Sequence, residues 1–228
     1  MTPRTTTTPA RKKKVAVAAR EVVDLLRDNI RIGRLVPGQR LVEADIVKET
    51  GTSRSKVREA LKRLEGEGLV SIEEFRGASV RQLSMEEVHQ IYQARMALEG
   101  MAAAEFARCG DKAQKQHLQK LQRAMDALEA TGDHASFALL NDTWHKLIIA
   151  GSGNTYAAQF LAQLAVPVYR LLFSTFYNAQ RIDRANADHK LITKAIVDGK
   201  PEAAEKAMRN HIKDGFSALK EINDKLHV

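Results

Sequence analysis

Four residues have the types and the spacing to hold a metal ion. Asn141 and His145 are four positions apart, so on a helix their side chains share a face and reach toward one point. His189 and His211 each lie eleven residues from Lys200, inside the turn Gly199-Lys200-Pro201. If the flanking segments form an antiparallel helical hairpin, equal distance from the bend puts both imidazoles at one height, because each arm rises about 1.5 Å per residue. Three imidazoles then converge with Asn141. Neutral imidazoles suit Zn, Ni, Fe or Cu, and three of them leave positions for water or an incoming ligand. Spacing alone leaves open the alternative that the three are surface or satisfied core residues, which is how His89, His117, His134 and His227 are read.

A second group fits nucleic acid. Arg54 and Arg58 share one face of a segment whose other face carries Val57, Ala60, Leu61 and Leu64. A helix seated on its apolar side presents its N-terminal polar residues outward, the geometry that meets base edges in a major groove. Arginine matches guanine O6 and N7, while Ser55 and Lys56 suit phosphates. The bland alternative is a pair of solvated arginines bonded to Glu59 or Glu65. Charge distribution argues for the first. Of a net +8, residues 1–81 carry 18 Lys and Arg against 11 Asp and Glu, and the remainder 18 against 17. A basic head on a near-neutral body implies a polyanion partner for the head alone.

The elements that must position these groups follow from periodicity. Residues 1–14 (MTPRTTTTPARKKK) have no apolar pattern and read as a disordered basic arm. From Val17 an apolar stripe runs to Ile32 and stops at Gly33; residues 43–50 form a short helix closed by Gly51; Ser53 caps the next. LVSIE (69–73) and FRGASV (75–80) alternate as a small hairpin with Gly77 at the bend. Ser84 and Glu87 form a capping box. Everything after it reads as helix, near 85–108, 112–130, 133–150, 155–180, 184–198 and 201–225, broken at glycines. The predicted fold is mainly α: a winged helix-turn-helix over 15–81 and an all-α bundle of six to seven helices over 82–228.

Size and composition allow this. A chain of 228 residues buries a core without staples, and the single cysteine, Cys109, excludes an internal disulfide and a Cys-x-x-Cys site. No stretch approaches the roughly 18 apolar residues of a membrane span, and the small residues after Lys14 are too few for a signal-peptide core. The expected place of work is the cytoplasm, in association with the nucleoid.

The run PGQRLVEADIVKETGTSRSKVREALKRLEGEGLV, followed by Arg76-Gly77, resembles the winged helix-turn-helix head of the GntR family of bacterial transcriptional regulators over about residues 17–81. The resemblance implies operator contacts from Arg54, Ser55 and Arg58 and a wing tip at Gly77; some relatives carry Arg where this chain has Ala44. RMALEGMAA (95–103), WHKLI with the following GSGN, DHKLITKAI (188–196) and DGKPEAAEKAMRNHI (198–212) are similar to the FCD effector domain of the FadR branch, over about residues 85–222. That likeness implies a metal on Asn141, His145, His189 and His211, zinc first and nickel or iron as alternatives, with a small carboxylate effector over it. Many relatives have Asp where this chain has Asn141, so the site keeps the full +2 charge, which favours an anion. Arg95 is the expected carboxylate clamp, with Tyr169 and Arg170 as further effector candidates.

The function expected is a ligand-responsive, homodimeric DNA-binding regulator, repressing through a near-palindromic operator and not an enzyme. Two rival classes are a structural DNA-binding protein with an inert bundle and a DNA-tethered metal hydrolase. The latter is disfavoured because no Glu sits beside a ligand as in His-Glu-x-x-His.

Overall fold

The computed structural model describes residues 19–31, 33–164 and 179–226. Helix α1 (Ala19–Arg31) presents Val22, Val23, Leu26 and Ile30 as one buried stripe. A two-residue strand, β1 (Arg40–Leu41), precedes α2 (Glu43–Thr50), which ends where Gly51 turns left-handed at φ 70°. The serine cap predicted for α3 (Arg54–Gly66) is present, with the Ser53 side chain accepting from the Lys56 amide. Its inner face, Val57, Ala60, Leu61 and Leu64, is buried with Ile46 and with Leu41, Val70 and Val80 of the sheet.

That sheet has three antiparallel strands in the order β1-β3-β2, with β2 at Val70–Glu73 and β3 at Gly77–Val80. Two expectations change here. Strand β1, absent from the sequence reading, pairs Arg40 with Ser79; two residues are too few to show alternation, and β3 recruits them. The bend is also not at Gly77, which is already in the ladder opposite Glu73. The tip is the segment 74–76, closed by the Arg76 N–H donating to the Glu73 carbonyl at 3.2 Å.

After the Ser84–Glu87 capping box, which forms as predicted, α4 (Met85–Cys109), α5 (Lys112–Thr131) and α6 (His134–Gly151) follow with short connections. Helix α7 starts at residue 155 and is described through 164. Helix α8 (Ala179–Val197) already covers 179–183, ahead of the expected 184, and residues 165–178 of the helix expected over 155–180 lie outside the described residues. Helix α9 is Pro201–Leu226. These helices enclose a second core of Val88, Tyr92, Phe106, Leu118, Phe137, Trp144, Ile148, Ile192 and Met208. The arm 1–14, Tyr169, Arg170 and His227 lie outside the described residues.

Candidate functional site

Three helices bring the imidazoles together. His145 comes from α6, His189 from α8 and His211 from α9, all buried, and one nitrogen of each lies within 4.8 Å of the others. The Lys200-centred symmetry holds: His189 Nε2 is 3.2 Å from His211 Nε2, and the latter is 3.3 Å from His145 Nε2. Trp144 backs the cluster, its ring centroid 4.5 Å from that of His189 and its Nε1–H donating to Thr193 Oγ1 at 3.0 Å. Thr193 continues through Gln122 to Asn186, a polar chain that fixes α5 and α8 behind the site.

The outward nitrogens decide what the inward ones can do. His145 Nδ1 lies 2.7 Å from Glu99 Oε2, and His211 Nδ1 lies 3.4 Å from Asp188 Oδ2. Burial pushes the Glu99 carboxyl up, but Arg95 and His145 more than offset this and hold it at about 2. An ionised carboxylate only accepts, so His145 Nδ1 donates to Glu99, and in the neutral ring this tautomer places the lone pair on Nε2. The same argument applies to His211 beside Asp188. Burial, then neighbouring His145 and Arg181, hold His211 down at about 4 against the pull of Asp188, and burial lowers His189 well below its usual range. Two lone pairs facing each other at 3.3 Å cannot bond to each other, and a cation between them resolves the conflict. The donor set therefore fits a borderline-soft divalent ion, with carboxylates on the far nitrogens as metal-ligating histidines have. His189 Nδ1 has no hydrogen-bond partner among the described residues.

Asn141 is buried one turn before His145 and lines two cavities with it. The smaller, about 20 Å³, is bounded by Tyr92, Arg95, Asn141, His145, Arg181 and His211 among others and suits one water or ion. The larger, about 190 Å³, runs from Arg95, Glu99, Asn141 and His145 to Ile149, Ala158 and Leu161. Arg95 borders both, but its Nε donates to Glu99 at 2.7 Å and its guanidinium lies 5.2 Å from the centre of the Tyr92 ring. The expected clamp is thus already half committed, to a carboxylate of the protein itself. Sequence reasoning missed Glu99, although Arg95 and Glu99 are four apart on α4, the spacing of a helical ion pair. Arg181 and Tyr92 on the small cavity were also missed, as was the contact of Asp188 with His211.

In the head, Arg54, Ser55 and Arg58 are exposed and Lys56 is half-buried. Arg58 Nε donates to both oxygens of Glu43 on α2, at 2.8 and 3.0 Å. Neither Glu59 nor Glu65 takes it: Glu59 accepts from Arg63, and Glu65 accepts the Ile72 amide. The pair joins the two helices of the helix-turn-helix across their turn.

A three-helix head with a hairpin wing, joined to a helical body with a buried histidine cluster, is the architecture of a winged helix-turn-helix regulator with a separate sensing domain. Residues 18–80 match the model of the bacterial regulatory proteins of the gntR family, and residues 90–214 that of the FCD domain. The chain belongs to the gntR family of bacterial regulatory proteins and carries an FCD domain. Among its relatives, a probable D-xylose utilization operon transcriptional repressor of Paenarthrobacter nicotinovorans is 29% identical over 90% of this chain and 89% of that one. The transcriptional repressor GlaR of Escherichia coli K12 is 27% identical over 82% and 89%. E. coli McbR/YncC superposes with a TM-score of 0.79 at 21% identity, over 92% of this chain and 100% of that one. A GntR regulator structure from Rhodococcus sp. RHA1 gives 0.76 at 22%, over 89% and 97%.

Proposed function

We propose that this protein is a ligand-responsive transcriptional repressor of the FadR branch that holds a divalent metal, zinc before nickel or iron, and answers to a small carboxylate. The observation that carries this reading is the meeting of the imidazole edges of His145, His189 and His211, with carboxylates beside two of the outward nitrogens. Asn141, through its carbonyl oxygen, completes the donor set. When bound, the ion supplies Lewis-acid coordination for a carboxylate oxygen. Glu99 and Asp188 hold protons at the Nδ1 atoms of His145 and His211, and Trp144 keeps water from one side. Arg95 keeps Glu99 ionised and adds positive potential at the wall of both cavities. The four proposed ligands are all neutral, so charge compensation comes only from Glu99 and Asp188 behind the histidines, and the open face of the ion favours an anion.

In the head, residues 15–81, Arg54 and Arg58 meet base edges, Ser55 and Lys56 meet phosphates, and Gly77 brings the wing backbone near DNA. The body, residues 82–228, binds ligand and forms the homodimer, so two heads read the two halves of a near-palindromic operator. Effector binding shifts the population of head-to-head spacings, and one half-site is lost. Two relatives named as repressors support the sign of control. The site of action is the cytoplasmic nucleoid. The test is metal analysis by mass spectrometry of untagged protein beside His189→Ala. About one equivalent per chain in the parent and loss in the variant is the expected outcome. A parent free of metal after zinc supplementation overturns the metal reading and leaves Arg95 and the histidines to hold the ligand directly.

A further inference from the structure

The wing carries a residue that the fold does not use. Phe75 is 97% exposed, far more than any other large apolar side chain among the described residues, and belongs to neither hydrophobic core. It is also the only non-glycine there at positive φ, 62°. For a bulky residue that conformation is an outlier and a form of strain, which persists where the surroundings impose it and clusters at functional sites. The strain sits at the outermost point of the hairpin, between Glu73 and Gly77, which close the ladder. Exposure and strain are thus spent on the same side chain.

We propose that Phe75 is an apolar wedge that enters the minor groove of the operator, partly unstacks one base step and kinks the duplex. The inference rests on the reading of the head as the operator-binding unit. Strand β2 is tied to α3 by the Ile72 amide donating to Glu65 Oε1 at 3.3 Å, so a head with α3 in a major groove carries the wing rigidly toward the neighbouring minor groove. Aromatic and aliphatic wedges are the usual means by which proteins open a base step from that side. Arg76, 83% exposed at its side chain, offsets Glu73 through a 3.2 Å pair, which removes one of the two carboxylates that would repel phosphates there; Glu74 remains. The step preferred is a flexible pyrimidine–purine step, where unstacking costs least.

The test uses a duplex selected from a randomised library by the full-length parent. Three proteins are compared: parent, Phe75→Asn, which tolerates positive φ but lacks the ring, and Phe75→Tyr, which keeps the ring. Affinity is read by fluorescence anisotropy, bending by end-to-end energy transfer, and base unstacking by 2-aminopurine placed along the half-site. The expected result is a roughly ten- to hundredfold weaker complex for the Asn variant, with loss of the bend and of the 2-aminopurine signal, while Tyr retains all three and both variants melt like the parent. An Asn variant that binds and bends as the parent does overturns the wedge. So does one that changes only the oligomeric state, which would assign Phe75 to a protein contact. A folded parent that selects no duplex overturns the DNA-binding reading itself.

Discussion

Replacing Glu99 with Gln keeps the volume, removes one negative charge and turns one acceptor into an NH₂ donor, and the site makes its consequence calculable. Glu99 is 2% exposed; one oxygen accepts from Arg95 Nε at 2.7 Å and the other lies 2.7 Å from His145 Nδ1. An amide offers one acceptor and one NH₂ in place of two acceptors. With the oxygen kept on Arg95, the NH₂ meets His145 Nδ1, which must then accept, and the imidazole proton moves to Nε2. That proton points at His211 Nε2, 3.3 Å away, and removes His145 as a ligand. With the oxygen turned to His145, two donors oppose each other at Arg95 in an enclosed site. Either arrangement is unfavourable. Loss of such a partner to a metal-ligating histidine costs about 10- to 100-fold in affinity. Leaving Arg95 buried without a charged partner costs about 3 kcal/mol, or roughly 6–12 °C in melting temperature for a chain this size. Zinc competition against a chromophoric chelator at pH 7.5, with melting followed by circular dichroism, reads both effects. A folded Glu99→Gln protein with the zinc affinity of the parent would refute the tautomer argument.

Other outcomes follow from neighbouring contacts. Arg58→Ala abolishes specific operator binding in a gel-shift assay while the sedimentation coefficient stays that of the parent, since Arg58 is exposed and its side chain, among the described residues, bonds to Glu43 within the head; tight sequence-specific binding by the variant contradicts its role. Metal-free protein loses stability in acid: His211 is about 4 folded and near 6.5 unfolded, so the unfolded chain takes up the proton first. Stability is complete above about pH 6.5 and falls by up to about 3 kcal/mol toward pH 4; a urea midpoint that stays flat from pH 7 to 4.5 counts against it. Gly151→Ala places a Cβ 2.6 Å from the buried Phe106 ring and lowers stability by about 1–3 kcal/mol, measured by the same unfolding curves.

What the sequence disclosed and what it withheld separate along one physical line. The Ser84 box, the Ser53 cap and the Gly51 stop are interactions within one turn of chain, so residue type at fixed spacing suffices to find them. The His189–His211 contact was legible for a related reason: a helical hairpin converts equal sequence distance from Lys200 into equal height, and two arms of constant rise leave little else to happen. The contacts that govern chemistry obey no such rule. Glu99 is 46 residues from His145, and Glu43 is 15 from Arg58 across a turn whose angle no local pattern states. The wing shows the limit at its smallest scale. A glycine in a hairpin attracts the bend on propensity, and Gly77 does take a positive φ of 83°, yet it pairs with Glu73, so the tip is displaced to 74–76 and Phe75 too takes a positive φ, in a register set by Val70, Val80 and Ala78 turning inward. Burying those three side chains outweighs the backbone preference of one tip residue. Phe75, at positive φ and 97% exposed, adds nothing to either core, so the use proposed for its ring lies in a contact outside the head, with operator DNA.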